Sequence, residues 1–149
     1  MELNRDPAFW EAVIAHPDVG PNVTFGQEID VAGLVQHPGV VPLASEHGGF
    51  VFVQLDALGR VWELHTAYRP EGWGREVLFA AKSAFTRMFA DGADLITTHE
   101  VEGNWRSRPP KTFRFEPAGE FRQALGKHLR TWMLTRAAWE ASPARQRME

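Results

Sequence analysis

The sequence predicts an α/β fold, a mixed sheet with helices packed on it. Three observations predict it. Residues 50–55 and 60–66 read as adjacent strands joined by a short glycine turn. The apolar period then changes from two to about 3.6 over residues 73–90. Further strand-like and short helical stretches follow, which completes an order of helix, strands, long helix, strand, short helix, strands.

The first element is a helix. Asp6 can cap it, Pro7 suits its first position, and Phe9, Trp10, Val13 and Ile14 form one apolar face. Pro17 ends it, because a proline disfavours helical geometry in the residue before it, here His16. Residues 18–22 read as a turn. Residues 23–38 have no period, since Gly26, Gly33 and Pro38 interrupt any pattern. Val40 to Ser45 reads as a strand, closed by His47-Gly48-Gly49.

The next strand, Phe50-Val51-Phe52-Val53-Gln54-Leu55, is rich in aromatic and β-branched residues. Asp56-Ala57-Leu58-Gly59 turns the chain back. The return strand alternates, with Val61, Glu63 and His65 on one face and Trp62, Leu64 and Thr66 on the other. In the long helix Val77, Leu78, Ala81, Phe85, Met88 and Phe89 line one face, and Gly92 is placed to stop it. Residues 94–98 read as a short strand, with His99-Glu100 as a loop pair after it. Asn104 opens a loop or short helix that Pro109-Pro110 must end. Residues 112–116 read as a strand, residues 129–136 fit strand or helix, and the tail from Ala141 reads as polar and frayed. No repeat, linker or low-complexity segment interrupts the chain, so residues 1–149 read as one domain.

Composition limits the function. Sixteen basic against 19 acidic groups give a net charge of −3, so no overall positive field exists to hold a nucleic-acid backbone or an anionic membrane. A local basic cluster, Arg106, Arg108, Lys111 and Arg114, reads as a solvated loop. Cysteine is absent, which excludes disulfides, thiolate zinc sites, iron–sulfur clusters and a Cys nucleophile. No apolar run approaches the roughly 20 residues of a membrane span. The opening Met-Glu-Leu-Asn-Arg-Asp leads into no signal-like stretch, and a cytoplasmic protein is expected.

The chemistry concentrates in Leu64-His65-Thr66-Ala67-Tyr68-Arg69-Pro70-Glu71-Gly72-Trp73-Gly74-Arg75. A strand runs into a loop with two glycines, and the loop opens the long helix. The first helical N–H groups have no internal partner, and the helix dipole adds partial positive charge. Phosphate binds such a place readily. Gly72 and Gly74 allow close backbone approach, and Arg69 and Arg75 add charge. No Gly-Lys-Ser/Thr follows, so this is not a P-loop, and the spacing is not that of a dinucleotide fingerprint.

The run Arg69-Pro70-Glu71-Gly72-Trp73-Gly74 resembles the Arg/Gln-x-x-Gly-x-Gly/Ala signature of the GNAT superfamily of acyl-CoA-dependent N-acyltransferases. The hairpin before it, the long helix after it, the strand at 94–98, Asn104, and Thr112-Phe113 in place of the frequent Gly-Phe agree in order over roughly residues 40–116. Trp62-Glu63-Leu64-His65 and Met88-Phe89 are similar to small phage- and prophage-encoded GNAT-like proteins. The resemblance implies a mostly antiparallel twisted sheet with helices on both faces, and acetyl-CoA as co-substrate with no metal. It implies that the strand of Leu64 and Thr66 meets the pantetheine arm, where the strands of Leu64 and Leu95 splay apart. The backbone from Arg69 through Gly72, Trp73 and Gly74 to Arg75 would hold the pyrophosphate. Asn104 would sit near the pantetheine or thioester.

By the same resemblance, an amine attacks the acyl thioester directly. Glu63 and His65 share a strand face near the expected acyl group, so either can serve as base, with Glu63 preferred. As metal ligands these two are too few. Many members place a tyrosine general acid after the Asn. Here no Tyr follows Tyr68, and Trp105 beside Asn104 cannot replace it, which leaves another acid such as water, or a reaction that is slow or lost. The acceptor would be a small-molecule or protein amine, and pairing through the last strand would give a homodimer. A second reading keeps the fold as a binding or structural component of a phage particle or phage–host complex, with an exposed Trp139 and the Arg-bearing tail as partner contacts.

Overall fold

The computed structural model describes residues 1–146 of the 149. Seven strands form one sheet: β1 (Glu2–Leu3), β2 (Val40–Ser45), β3 (Gly48–Gln54), β4 (Val61–Tyr68), β5 (Leu95–Val101), β6 (Glu116–Ala124) and β7 (Lys127–Thr135). Their order is β1-β2-β3-β4-β5-β7-β6. The pairs β1–β2, β2–β3, β5–β7 and β6–β7 are antiparallel, and β4–β5 is parallel. Among the described residues six α-helices accompany them: α1 (Pro7–Ile14), α2 (Gly20–Thr24), α3 (Val31–Gln36), α4 (Arg75–Ala90), α5 (Arg136–Glu140) and α6 (Pro143–Gln146). The α/β class and the mixed sheet are those the sequence predicts. None of the described helices is long and apolar enough to cross a membrane.

Contacts within the chain define two compact units, Met1–Gln54 with Leu64–Ala84, and Leu55–Glu63 with Phe85–Glu149. In the first, α1 forms as its sequence dictates. Asp6 accepts the Ala8 N–H at 3.0 Å and Pro7 takes the first helical position. Trp10 is buried against Val35, Val40, Ala44 and Val51. The turn expected at 18–22 is instead partly α2. Val19 is buried with Val13 and Ala67, and Pro21 enters the first helical turn, so packing overrides the turn-forming residues. The patternless stretch yields α3, where Asp30 caps by accepting the Gly33 N–H at 3.0 Å. On α4, Leu78 is 41% exposed rather than buried. It lies at the margin of a stripe that starts from Ala80, Ala81 and Ala84 in this unit.

The second unit has an aromatic core. Phe85 meets Phe113 and Trp139 edge-on at 5.4 and 5.6 Å, and Phe113 stacks on Trp139 at 6.0 Å. Trp139, expected on the surface, is only 1% exposed. Phe113 also explains why residues 112–116 are not a strand. The chain makes a tight helical turn at Lys111–Phe113, ends it at Arg114 in the left-handed region (φ 69°), and enters β6 only at Glu116. Helix α4 stops as expected at Gly92 (φ 113°), where the Ala93 N–H reaches the Met88 carbonyl at 3.0 Å. The Arg136 guanidinium adds bonds to the Phe89 and Ala93 carbonyls at 2.7 and 2.6 Å.

Residues 129–136 resolve into strand and helix: β7 runs to Thr135, whose hydroxyl accepts the Ala138 N–H and caps α5. His99 and Glu100, expected in a loop, belong to β5, which pairs with β7 from Leu95 to Val101. The tail expected to fray after Ala141 continues into α6. Ser142 is fully buried there and its hydroxyl accepts the Arg145 N–H at 3.1 Å. Residues 147–149 of that tail lie outside the described residues.

Candidate functional site

The junction of β4 and α4 lies within the first unit. The Arg69 N–H donates to the His47 carbonyl at 2.9 Å, after which Pro70–Gly72 forms a single tight helical turn. That turn uses two of the donors the sequence assigns to an anion. The Gly72 N–H goes to the Arg69 carbonyl at 2.9 Å and the Trp73 N–H to the Pro70 carbonyl at 3.1 Å. The Trp73 indole donates to the Tyr68 carbonyl at 2.9 Å. The expectation of free donors at Gly72 and Trp73 is therefore corrected: the free donors begin one residue later. Among the described residues, no group accepts the N–H of Gly74, Arg75, Glu76 or Val77. These are the first-turn donors every helix leaves unmatched.

The two glycines have different reasons. Gly74 has φ +91°, and a Cβ there would meet nothing within 4 Å. Its need is conformational, and the space beside it is open. Gly72 is packed: a Cβ would lie 2.8 Å from the Tyr68 ring and 3.1 Å from His47 Cβ. Arg69 is half-buried, and its Nε is buried with no hydrogen-bond partner. An orphaned guanidinium nitrogen, four free N–H groups and an open approach at Gly74 suit an anionic group of diphosphate character. Arg75 is exposed, with its guanidinium 5.4 Å over the Phe79 ring.

Behind the loop is a cluster that sequence reasoning missed. Glu76, in the first turn of α4, accepts from Ser45 Oγ at 2.6 Å and from the His47 N–H at 2.9 Å through Oε2. Its Oε1 lies 2.6 Å from His47 Nδ1. Ser45 Oγ is also 2.8 Å from the Tyr68 hydroxyl. Burial pushes the Glu76 carboxyl up, but the hydrogen bonds from Ser45 and His47 outweigh it and hold it below its ordinary value. The bond to Glu76 raises His47 against the opposing effect of burial. Burial pushes Tyr68 up to about 12, moderated by Ser45. The only tyrosine in the sequence is thus a buried member of this cluster. The one sequence signal was electrostatic: a carboxylate in the first turn of a helix read as an anion site needs cationic company.

Along β4, Leu64 is buried, His65 half-buried and Thr66 exposed. In the second unit the parallel ladder has three registered pairs, Val61↔Leu95, Trp62↔Ile96 and Glu63↔Thr97. Glu63 Oε2 comes within 3.8 Å of His99 Nε2. Asn104 caps the short helical turn Trp105–Ser107, accepting the Arg106 N–H at 3.2 Å, and its carbonyl takes the Ser107 hydroxyl at 2.6 Å. The adjoining Trp105 is 76% exposed. Among the described residues, Glu46, His47 and Glu76 bring three potential metal donors within 4.8 Å of one another. Both Glu76 oxygens already accept hydrogen bonds, so the group reads as a hydrogen-bonded brace.

No protein-family model matches the sequence, and no curated protein sequence matches it. Solved structures do match. A probable acetyltransferase of the GNAT family from Chromobacterium violaceum ATCC 12472 superposes with TM-score 0.71 at 18% identity, over 95% of this chain and 87% of that one. Spermidine N-acetyltransferase from Vibrio cholerae, in complex with CoA and spermine, gives 0.66 at 15% identity, over 94% and 96% of the two chains. A further probable acetyltransferase is 23% identical over 64% of this chain, which spans 57% of its length, with TM-score 0.56. The structural neighbours are GNAT-family acetyltransferases, and the fold of this chain is the GNAT acetyltransferase fold.

Proposed function

We propose that this protein is a CoA-dependent N-acyltransferase that moves an acetyl or other short acyl group to a small-molecule amine, with the 149 residues serving as one catalytic domain. The observation that carries the reading is the β4–α4 junction: four unmatched N–H groups and a partnerless Arg69 Nε in a chain with the GNAT fold. A diphosphate is the anion such a junction suits. Gly74, Arg75, Glu76 and Val77 would donate their N–H groups to it, with Arg69 and Arg75 adding charge. Leu64 and Thr66 would present strand backbone to the pantetheine arm, and Asn104, itself a helix cap, would lie near its end.

In the reaction the amine nitrogen attacks the thioester carbonyl, an N–C bond forms, and the C–S bond breaks. Glu63 takes the proton the nitrogen loses, and His65 is the second candidate base. The electron pair leaves with sulfur. Tyr68 is buried on Ser45 and does not serve as the acid. A thiol with a pKa of about 8.5 is a tolerable anion at neutral pH, so water suffices to protonate it. The test is thiol release from acetyl-CoA with a panel of amines, polyamines included, beside calorimetry of CoA. Amine-dependent release at micromolar CoA affinity supports the reading, and absence of CoA binding overturns it.

A further inference from the structure

Resting on that reading of the β4–α4 junction, we propose that His47 is a positioning residue for coenzyme A, clamping Glu76 from the β2–β3 turn and so fixing the loop that holds the diphosphate. His47 touches the junction at Arg69, at Gly72 and at Glu76 in the first turn of α4. Its carbonyl accepts the Arg69 N–H at 2.9 Å. Its Cβ lies against Gly72, where an added methyl group would sit 3.1 Å away. Its own N–H and its ring meet the two oxygens of Glu76, at 2.9 and 2.6 Å.

The clamp also answers a charge problem. Glu76 stands in the first turn of α4, among the N–H groups assigned to the diphosphate, where an unmatched carboxylate would repel it. The charged and titratable groups facing His47 are Glu76 from α4, Glu46 at 3.8 Å in its own turn, and Arg69 at the end of β4. Tyr68 stands next to them, neutral and bonded to Ser45. The hydrogen bond to Glu76 and the charges of Glu76 and Glu46 favour the imidazolium, while burial and Arg69 oppose it. The net effect raises His47 above its ordinary 6.5. A raised group contributes fully below that ordinary value and is lost as pH rises through the raised one. Above it, Glu76 keeps its charge and loses its counter-ion, and affinity for the diphosphate falls.

The experiment is calorimetry of the full chain with dephospho-CoA, which keeps the diphosphate but lacks the 3′-phosphate that would itself titrate near pH 6. Wild type, His47→Gln, and His47→Gln with Glu76→Gln are compared from roughly pH 5.5 to 8.5. The wild-type Kd should weaken about tenfold across that range, the equivalent of 1.4 kcal/mol. His47→Gln should bind weakly with a flat profile, and removing the Glu76 charge as well should restore much of the affinity. A flat wild-type profile, or a His47→Gln profile that matches wild type, overturns the proposal. If a variant does not fold by circular dichroism, the wild-type profile decides alone. Absence of wild-type binding at every pH is a different result: it overturns the diphosphate reading, and this proposal falls with it.

Discussion

Glu63 and His99 approach to 3.8 Å across the parallel pair of β4 and β5. Glu63 is registered on Thr97, and His99 lies two residues further along the same face of β5. His99 is steadied from behind: Thr131, its register partner on β7, places Oγ1 3.3 Å from His99 Nδ1. A carboxylate with an imidazole at its side can take a proton and have its new charge state accommodated. Glu63→Gln should therefore lower kcat by about 10²–10⁴ while leaving KM for acetyl-CoA near wild type. Thiol release under saturating amine measures it, and an unchanged kcat would remove Glu63 as the base.

Gly72 and Gly74 should fail differently when given a methyl group. At Gly74 nothing obstructs a Cβ, so Gly74→Ala costs only the left-handed conformation, about 1–2 kcal/mol. Relief of that strain would re-aim the first-turn donors, and CoA affinity should drop more than stability does. At Gly72 the methyl group meets the Tyr68 ring at 2.8 Å, so Gly72→Ala should lower the melting temperature first. Melting curves and CoA calorimetry on the same preparations separate the two. Equal losses of affinity at equal stability would show that the glycines do one job.

Local chemistry was legible from the chain, and long-range chemistry was not. Asp6, Pro7 and Gly92 act through neighbours within a few residues, and each does what its type predicts. The β4–loop–α4 junction was readable for the same reason. Glu76, by contrast, is bonded to residues 29 and 31 positions away, a separation no spacing rule covers. Trp139 reads as an exposed partner contact under the second reading, yet the Phe85 and Phe113 rings pack on it and it is buried. The sequence offers Gly72 and Trp73 as donors to a ligand, because it does not reveal that Pro70 starts a turn that closes on their N–H groups.

The Glu76 brace should also show in stability. Its carboxyl is held below the ordinary 4.5, so its contribution is present above that value and disappears as pH falls through the lowered one. His47 is held above 6.5, so its contribution is complete below that value and disappears as pH rises through the raised one. Both are whole only between the two ordinary values. The melting-temperature difference between wild type and Glu76→Gln should therefore be largest between about pH 5 and 6.5 and should narrow on either side. A difference independent of pH would mean that shape rather than charge makes the brace.

Glu100 offers the sharpest stability test. It is 8% exposed, and its Oε1 receives Arg130 Nη2 at 2.9 Å, Arg130 Nε at 3.3 Å and the Trp132 indole at 2.9 Å. Arg130 is its direct register partner across β5–β7, and the guanidinium lies 4.6 and 5.1 Å over the Phe121 and Trp132 rings. Arg130→Met removes the positive charge but keeps the length of the side chain. What remains is a buried carboxylate with one indole donor, and loss of about 3–5 kcal/mol should follow. Glu100→Gln in the same chain removes the stranded charge and keeps an oxygen for Trp132, so the double variant should recover most of that loss. Denaturant titration of the two single variants and the double one gives the coupling directly. Additive losses would mean that the pair contributes as two separate packed side chains, and that burial of the charge is not what the arginine answers.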